Sequence, residues 1–415
     1  MLIEIHMIQN HSPSNMNRDD LGAPKTCLFG GVQRARISSQ CLKRSIRTGE
    51  EFRRLLGGVA TRRLAQLIAG EDEGKQSRFD KAFRVLALCG IGPKDKKGRQ
   101  TDASSAEDEQ SAARVFTTRR AVERMGELLA DDDRTDAELA EEFAHLIADE
   151  TAVPDMALCG RMLEPKKPAK PKKGKAAAAS EGGQGKDAGE TSLGVWQGLK
   201  LTVDAALQAA HAISTHAAQL EIDYFVAADD IPGEDAGAAY VDEALFSSAC
   251  FYKYFTINWE ALVDNLAGFE GEREALAAHT VGAFLRGAAL TTPTGKQNSF
   301  AAHNPPDAVL VQLRRNPVSY ANAFAAPVSV PGPRDMVAQS IAQLGQYVHD
   351  LDTGYGKPEK RVWFSPNLRH RLTVNEDEQE LGLADVEVKT LDDLVVRVVE
   401  ALGFEWDLVR EVTVA

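Results

Sequence analysis

The chain has 415 residues and a net charge of −13, with 43% hydrophobic and 26% charged residues. This composition supports a folded core and excludes global disorder, and the length suits one large domain with insertions or two ordinary domains. Five cysteines without a CxxC pair fit a reducing compartment and argue against a structural zinc site. We expect no signal peptide and no membrane helix, so the sequence predicts a cytoplasmic protein.

The acidic total does not exclude a nucleic-acid ligand, because the charge is segregated along the chain. Between Leu21 and Arg47 every charged residue is basic, whereas acidic residues cluster elsewhere, as in residues 131–133 and 375–380. Salt screens exposed charges beyond about 8–10 Å. A local basic segment can therefore attract an anionic chain despite the negative total.

The first predicted element is a strand over residues 2–8, where Ile3, Ile5 and Met7 share one face. Residues 11–31 are rich in Asn, Ser, Pro, Gly and Asp, which predicts a long loop. Loops of this length in a compact domain are usually functional or disordered.

A short helix is predicted from Ser39, with Ser38 as its N-cap and with Ile37 and Leu42 placed as a hydrophobic staple. Leu42 and Ile46 fall on one face of this helix. The polar and basic positions of the other face are Gln40, Lys43, Arg44 and Arg47.

The middle of the chain is helical by pattern from about residue 51 to 149, which indicates a helical insertion. Residues 164–190 are built of Lys, Pro, Ala and Gly and predict a flexible linker. Residues 199–216 are ambiguous between strand and helix. For residues 164–190, a solvated linker is favoured over a segment whose lysines contact a phosphate backbone.

Two later strands are predicted at residues 249–258 and 307–313, and two helices at residues 331–347 and 391–402. The outer segments thus predict an α+β protein. Its economical architecture is an interrupted ferredoxin-like (RRM-type) sheet into which the helical region is inserted.

The basic segment has features that suit a phosphodiester chain. Gly30 and Gly31 allow backbone amides to approach closely, and Arg34 and Arg36 would share one face of an extended segment. The amides at the helix start, beside Ser38, can accept phosphate oxygens. On the charges alone, a solvated basic helix without a ligand remains the alternative.

A series of motifs recurs in order down the chain. They are NRDD, FGG and RISSQCLKR within residues 17–44, CGRM (159–162), AHAISTH (210–216), IDYFVAADD (222–230), FSSACFYKY (246–254), GKQNSFAAHNPPD (295–307), PVSYANAF (317–324) and GYG (354–356). This series resembles the CasC/Cse-type backbone subunit of type I-E CRISPR Cascade complexes, a guide-RNA-binding family of the RAMP type. The resemblance spans most of residues 1–360, is weak in the helical region, and meets a linker longer than is usual there.

The resemblance implies an RRM-like palm, a helical finger domain and an extended thumb. The expected divisions are palm 1–58, fingers 59–163, linker 164–192, palm 193–213, thumb 214–247 and palm 248–415.

The resemblance also implies which residues face the guide RNA. Met162 corresponds to an apolar wedge against a base, and Tyr224 and Phe225 to an aromatic pair of the thumb, where the family more usually has Trp first. The residues expected on or beside RNA phosphates, with Arg34 and Arg36 added from their spacing, are Arg18, Lys25, Arg34, Arg36, Ser38, Gln40, Lys43, Arg44, Arg47 and Lys296.

The implied partners are the crRNA, target DNA paired to it, further copies of the chain, the other Cascade subunits, and a recruited helicase-nuclease. No cofactor, metal or catalytic residue is expected. Phosphate contacts position RNA without reading its sequence, and base stacking tolerates any sequence, as a variable guide requires.

Two other functions stay open. A histidine- or metal-dependent endoribonuclease would use His11, or Asp19 and Asp20, although no partner for a general base is evident. His211 and His216 are five residues apart on a segment expected to be buried, which suits a shared metal poorly. A generic RNA-binding module would bind as a monomer.

Overall fold

The computed structural model describes residues 1–71, 75–91, 114–131, 133–165, 194–227, 240–329, 335–376 and 378–413. Contacts divide the chain into two compact units, which we call unit 1 (1–56, 206–263 and 272–415) and unit 2 (57–205 and 264–271). The predicted linker lies outside the described residues from residue 166 onward. Residues 228–239 of the predicted thumb lie outside them as well.

The described residues form sixteen strands. They are β1 (Leu2–Ser14), β2 (Thr26–Phe29), β3 (Val32–Ile37), β4 (Gly58–Thr61), β5 (Val115–Thr118), β6 (Arg161–Met162), β7 (Thr202–Val203), β8 (Leu207–Ala209), β9 (Ala212–Ser214), β10 (Glu221–Ala227), β11 (Tyr240–Asn258), β12 (Ala308–Arg314), β13 (Lys360–Phe364), β14 (Thr373–Glu376), β15 (Gln379–Gly382) and β16 (Val386–Val388).

The helices of the described residues alternate with these strands, so the protein is mixed α+β. They are α1 (Ser39–Thr48), α2 (Glu50–Arg53), α3 (Leu64–Ala69), α4 (Lys75–Leu88), α5 (Arg119–Leu129), α6 (Asp136–Asp149), α7 (Pro154–Cys159), α8 (Trp259–Asn265), α9 (Arg273–Leu290), α10 (Gln297–Phe300), a 3-10 helix η1 (Ala321–Phe324), α11 (Met336–Tyr355), α12 (Leu391–Ala401) and α13 (Trp406–Val409).

Unit 1 is built on a large mixed sheet with β1 near its middle. The strand order is β16-β13-β12-β1-β11-β9-β3-β2, and β8 and β10 also pair with β11. β1 pairs antiparallel with β11, from Leu2 opposite Asn258 to Ser14 opposite Ser247, and with β12 on its other edge. Because both faces of β1 are covered, Ile3, Ile5 and His6 are all buried.

The predicted loop at residues 11–31 is partly wrong. β1 continues to Ser14, because its backbone pairs with the long strand β11 beyond the predicted end. After an irregular stretch, β2 and β3 form a hairpin in which Phe29 pairs with Val32. The segment at 199–216 is resolved as short strands (β7, β8 and β9) rather than a helix.

The helix predicted after Ser38 is confirmed. The Ser38 hydroxyl accepts a hydrogen bond from the amide of Cys41 at 3.3 Å, which is N-cap geometry. Ile37, Leu42 and Ile46 are buried. This burial fixes the opposite, basic face of α1 outward.

Other predicted elements also form. The strands predicted at 249–258 and 307–313 fall within β11 and β12, and the helix predicted at 391–402 is α12. The helix predicted from residue 331 begins at Met336 as α11; residues 331–334 lie outside the described part of the chain.

Unit 2 contains the helices expected for the inserted region. α3, α4, α5 and α6 pack around a shared apolar core that includes Phe79, Phe143 and Trp196. The predicted pattern missed two small two-stranded sheets in this unit, β4 with β5 and β6 with β7. Among the described residues, no helix is both long and apolar enough to cross a membrane.

The turn between β2 and β3 depends on two glycines with positive φ, +59° at Gly30 and +79° at Gly31. This is the two-residue turn geometry that glycine favours. A Cβ at Gly30 would lie 1.7 Å from the carbonyl oxygen of Ala325, whereas one at Gly31 would meet open space.

We expect Gly30→Ala to lower the free energy of unfolding by well over about 2 kcal/mol, since the new methyl group adds a backbone clash to the strain of a positive φ. Gly31→Ala is the matched control, because it carries the strain alone and should cost about 1–2 kcal/mol. Chemical denaturation of both variants checks this. Equal losses would show that the hairpin does not pack on Ala325 as described.

Candidate nucleic-acid interface

The basic segment is organised around Asn17. The Asn17 carbonyl accepts a hydrogen bond from the amide of Lys25 at 2.9 Å, and its side-chain oxygen accepts one from the amide of Ser38 at 2.8 Å. Arg18 and Pro24 form an isolated bridge in the same loop. One asparagine therefore joins the loop that carries Arg18 and Lys25 to the start of α1.

The cationic side chains of this segment are open to solvent to different degrees. Arg18, Gln40 and Arg44 are exposed, and Lys25, Arg36, Lys43 and Arg47 are half-buried. Within the described residues, no ion pair neutralises Arg18, Lys25, Lys43 or Arg44. The face holds unpaired positive charge, which is what binding a phosphate chain requires.

Lys296 extends this region from a distant part of the sequence. It is exposed and adopts a left-handed backbone conformation with φ +53°. The preceding residue, Gly295, lies so close to β1 and the loop after it that an added Cβ would be 2.4 Å from the carbonyl oxygen of Met16. The loop that carries Gly295 and Lys296, which we call the Lys296 loop, is thus packed next to the loop that carries Asn17, Arg18 and Lys25, which we call the Asn17 loop.

The prediction that Arg34 contacts RNA must be corrected. Its side chain is fully buried, with 0% exposure. Its guanidinium donates to five carbonyl oxygens at 2.8–3.3 Å. The acceptors are the carbonyls of Phe29, Ser214, Thr215, Phe324 and Ala325. Arg34 has no donor left for a phosphate and instead fixes three chain segments together.

Arg36 shares a face with Arg34, as predicted, but lies nearer the surface. Its Nε donates to the carbonyl of Thr26 at 3.3 Å, and the side chain is half-buried. Arg36 therefore keeps part of its guanidinium available to solvent.

The amides at the start of α1 are less available than predicted. The Ser38 amide is bound by Asn17, and the amide of Cys41 by the buried Ser38 hydroxyl. The amide of Ser39 donates to Nδ1 of His211 at 3.0 Å. The amides of the helix start are therefore less available to an anion than the basic side chains of α1 are.

His211 is a neighbour of the interface that the sequence did not reveal. It was expected in a buried segment, yet it is exposed. Burial of part of the ring, and then Arg36 and Lys25, lower the pKa of His211 below its usual value. The AHAISTH motif contained it, but only the pairing of β9 with β3 brings it to α1.

The aromatic pair of the predicted thumb lies on β10, which pairs with β11 as a two-stranded ribbon, Tyr224 opposite Glu243. Tyr224 is 67% exposed and Phe225 is 41% exposed. Adjacent residues of a strand point to opposite faces. Neither ring therefore belongs to the apolar core.

Met162 lies in unit 2, on the short strand β6, where it pairs with Thr202. Its side chain is 73% exposed, whereas that of the neighbouring Arg161 is buried and donates to backbone carbonyls. An apolar side chain this exposed is available to contact a base.

Two of the residues considered for nuclease chemistry, His11 and Asp19, are held in structural roles, whereas Asp20 is exposed. His11 is buried, and this burial lowers the pKa of its ring to about 3. Asp19 accepts hydrogen bonds from the amides of Leu21 and Ala23, which is turn formation. Among the described residues, no three His, Cys, Asp or Glu side chains are grouped to hold a metal ion.

Comparisons with known proteins agree with the mixed α+β architecture. A chain of a solved "CRISPR RNA-guided surveillance complex, pre-nicking" is similar with a TM-score of 0.72 and 25% identity, over 97% of this chain and 100% of that one. A chain of another "CRISPR RNA-guided surveillance complex" has the same fold with a TM-score of 0.53 and 21% identity, over 97% and 100%. A search of curated proteins found no match.

The family model described as "CT1975-like protein" matches residues 3–180 and 194–396. The chain therefore belongs to the CT1975-like family of Cas proteins.

We expect Arg34→Met to lower the free energy of unfolding by about 3 kcal/mol or more, since buried carbonyls would lose their donors. Arg36→Met, which removes a similar side chain with one such bond, should cost less than about 1 kcal/mol. Chemical denaturation of both variants measures the difference. A small loss for Arg34→Met would mean that water replaces the guanidinium.

Proposed function

We propose that this protein is a non-catalytic backbone subunit of a type I-E CRISPR surveillance complex, which binds crRNA and oligomerises along it. The observation that carries the proposal is the unpaired cationic face formed by α1, the Asn17 loop and the Lys296 loop. Membership of the CT1975-like family and the similarity to a surveillance-complex chain support it.

A surface of cations and exposed apolar side chains suits an RNA of any sequence. The candidate cations, Arg18, Lys25, Lys43, Arg44 and Lys296, are suited to phosphates, which all RNA sequences share. The aromatic and apolar side chains on β10 and β6 can stack on any base. Specificity would then come from pairing between guide and target DNA, as in other RNA-guided complexes.

We also infer that unit 1 is the RRM-like palm of such a subunit. The support is its element order: β1, α1, β9, β11, α9 and β12 follow the β-α-β-β-α-β order of a ferredoxin-like domain. Unit 2 is inserted between α1 and β9 and is proposed as the fingers. The ribbon of β10 and β11 is proposed as the thumb.

The proposed partners are further copies of this chain, the other Cascade subunits, target DNA through the guide, and a separately recruited helicase-nuclease. The non-catalytic role is supported by the occupied or buried state of His11 and Asp19. A cytoplasmic location is part of the same proposal.

Mixing the purified protein with a guide-length RNA tests the proposal. We expect a particle with several copies per RNA, whose mass rises with RNA length, and no shortening of the RNA. Native mass spectrometry gives the copy number, and a gel in Mg²⁺ or EDTA detects cleavage. A 1:1 product would contradict the backbone role, and Mg²⁺-dependent cleavage would favour the nuclease.

Lys43→Ala with Arg44→Ala should weaken RNA binding equally for unrelated sequences, because phosphates are common to all of them. The slope of log affinity against log salt should fall by about 1.4, or about 0.7 per lost phosphate contact. Titrations of labelled RNA at several salt concentrations measure this. The exposed pair Lys357→Ala with Arg315→Ala is the charge-matched control and should change little. Sequence-selective loss would contradict phosphate binding.

Tyr224→Ala with Phe225→Ala should leave the unfolding midpoint nearly unchanged, since both rings are exposed, but should disorder the assembly on RNA. Tyr355→Ala, which removes another highly exposed ring, is the control. Electron microscopy of the assembled particles and thermal denaturation separate the two effects. If the double variant unfolds early, the rings are structural.

A further inference from the structure

One buried lysine lies on strand β11 and has no partner within the part of the chain that the structure describes. Lys253 is on β11, opposite Met7 of β1, and is 1% exposed. Within the described residues its ammonium makes no hydrogen bond and no ion pair, although Nζ is not among the side-chain atoms that are wholly closed off from solvent. A buried charge is costly unless it is paired and hydrogen-bonded, so this arrangement needs a reason.

Lys253 differs in this from the other buried cations that the structure describes. Arg314 contacts Glu4 at 3.6 Å and Asp352 at 3.2 Å, and Arg361 contacts Asp352 at 2.8 Å. Arg34 and Arg161, also buried, donate to backbone carbonyls. Each of these four arginines thus has a carboxylate or carbonyl partner, whereas Lys253 has none within the described residues.

The neighbouring strand β1 carries polar side chains on the face that it shares with Lys253. Gln9 and His11 follow Met7 on the same face of β1, and the side-chain oxygen of Gln9 is buried without a hydrogen bond in the described part of the chain. The side-chain oxygen of Gln297, in the Lys296 loop, is likewise buried and unbonded. Neither oxygen bonds to the Lys253 ammonium, and neither group carries a charge that could cancel it.

Lys253 is electrostatically joined to the cationic face. The titratable groups that sense it are His11 from β1 and Cys41 from α1. Burial raises the pKa of the Cys41 thiol, and Lys25, Arg44 and Lys253 act against that rise. Cys41 therefore lies in the common field of one buried and two surface cations, directly beside Gln40 of the interface.

We propose that the phosphate chain bound on α1 is the counter-anion that the buried Lys253 ammonium lacks in the free protein, so that Lys253 is a positioning residue for RNA that makes no surface contact. This inference rests on the proposed RNA-binding function. Screening between a buried charge and a phosphate nearby is weaker than between exposed charges. The charge of Lys253 can therefore act on a nearby phosphate without touching it.

The consequence is a proton linkage with a definite sign. Burial lowers the pKa of Lys253 to about 8, and the nearby thiol acts weakly against this. A bound polyanion favours the charged form and raises that pKa. Below about pH 7 the lysine is protonated with or without RNA, so affinity is constant there; above about pH 8 binding must also recruit a proton, so affinity falls.

The same charge should destabilise the free fold. The unfolded chain holds the Lys253 proton up to its ordinary pKa, which is about 10.4. Between about pH 8 and 10 the unfolded state therefore binds more protons, and this group makes stability rise with pH. Replacing the ammonium by an apolar group of similar length should stabilise the free protein at neutral pH.

Three proteins test the proposal by titration of a labelled single-stranded RNA at about pH 7 and about pH 9. Wild type should lose up to about tenfold in affinity between the two, the limit for a group with a free pKa near 8 that stays protonated in the complex. Lys253→Met should bind more weakly at neutral pH with a flat profile, yet unfold at a higher temperature. Lys253→Arg should keep neutral affinity with a flat profile, because guanidinium stays charged.

A purely structural lysine would give a different result, since Lys253→Met would then lower stability and affinity together and leave the pH dependence unchanged. That outcome overturns the inference, as does a pH-dependent loss that persists in Lys253→Arg. Lys357→Met, which removes an exposed lysine, is the control for net charge. If wild type fails to bind RNA at neutral pH, the proposed function itself is contradicted.

Discussion

Five backbone carbonyls from three segments of the chain converge on the guanidinium of Arg34. One segment is the turn of the β2–β3 hairpin, the second follows β9, and the third ends η1. None of these carbonyls could be buried without a donor, since an unsatisfied buried acceptor costs about 1–3 kcal/mol. Because β3 leads directly into Ser38 and α1, the position of the cationic face depends on this one buried side chain.

Two buried cations thus support the same surface by different means. Arg34 is neutralised by carbonyl dipoles and fixes geometry, which suits a planar group with five donors. Lys253 has no such acceptors among the described residues, and burial lowers its pKa to about 8. Arg34 holds the backbone that positions the cationic face, and the positive charge of Lys253 would add to the attraction of that face for RNA. Together they would allow a chain with a net charge of −13 to bind a polyanion at this one surface.

Much of unit 1 could be predicted from local pattern. The strand at residues 2–8, the N-cap at Ser38 and the outward basic face of α1 follow from side-chain periodicity and capping, which are properties of neighbouring residues. The extension of β1 to Ser14 could not, because it depends on pairing with β11 more than two hundred positions away. α9 was missed because it is buried on nearly all sides, so its sequence shows no polar face.

The basic residues of the candidate site could also be predicted in part from local pattern. Arg18, Lys43 and Arg44 are accessible, as their composition and spacing indicated. Arg34 was misassigned because the two-residue period predicts which face a side chain takes but not whether that face is covered. His211 is brought to α1 only through strand pairing, and the proposed role of Lys253 depends on strand pairing too; neither residue has a local signal.

The central claim is that RNA lies on the face formed by α1, the Asn17 loop and the Lys296 loop. Ultraviolet crosslinking of the protein to a guide-length RNA, followed by mass spectrometry of the crosslinked peptides, tests this most directly. We predict crosslinks in residues 17–47 and at the Lys296 loop for RNAs of unrelated sequence. Crosslinks confined to other surfaces, or found for only one RNA sequence, would contradict it.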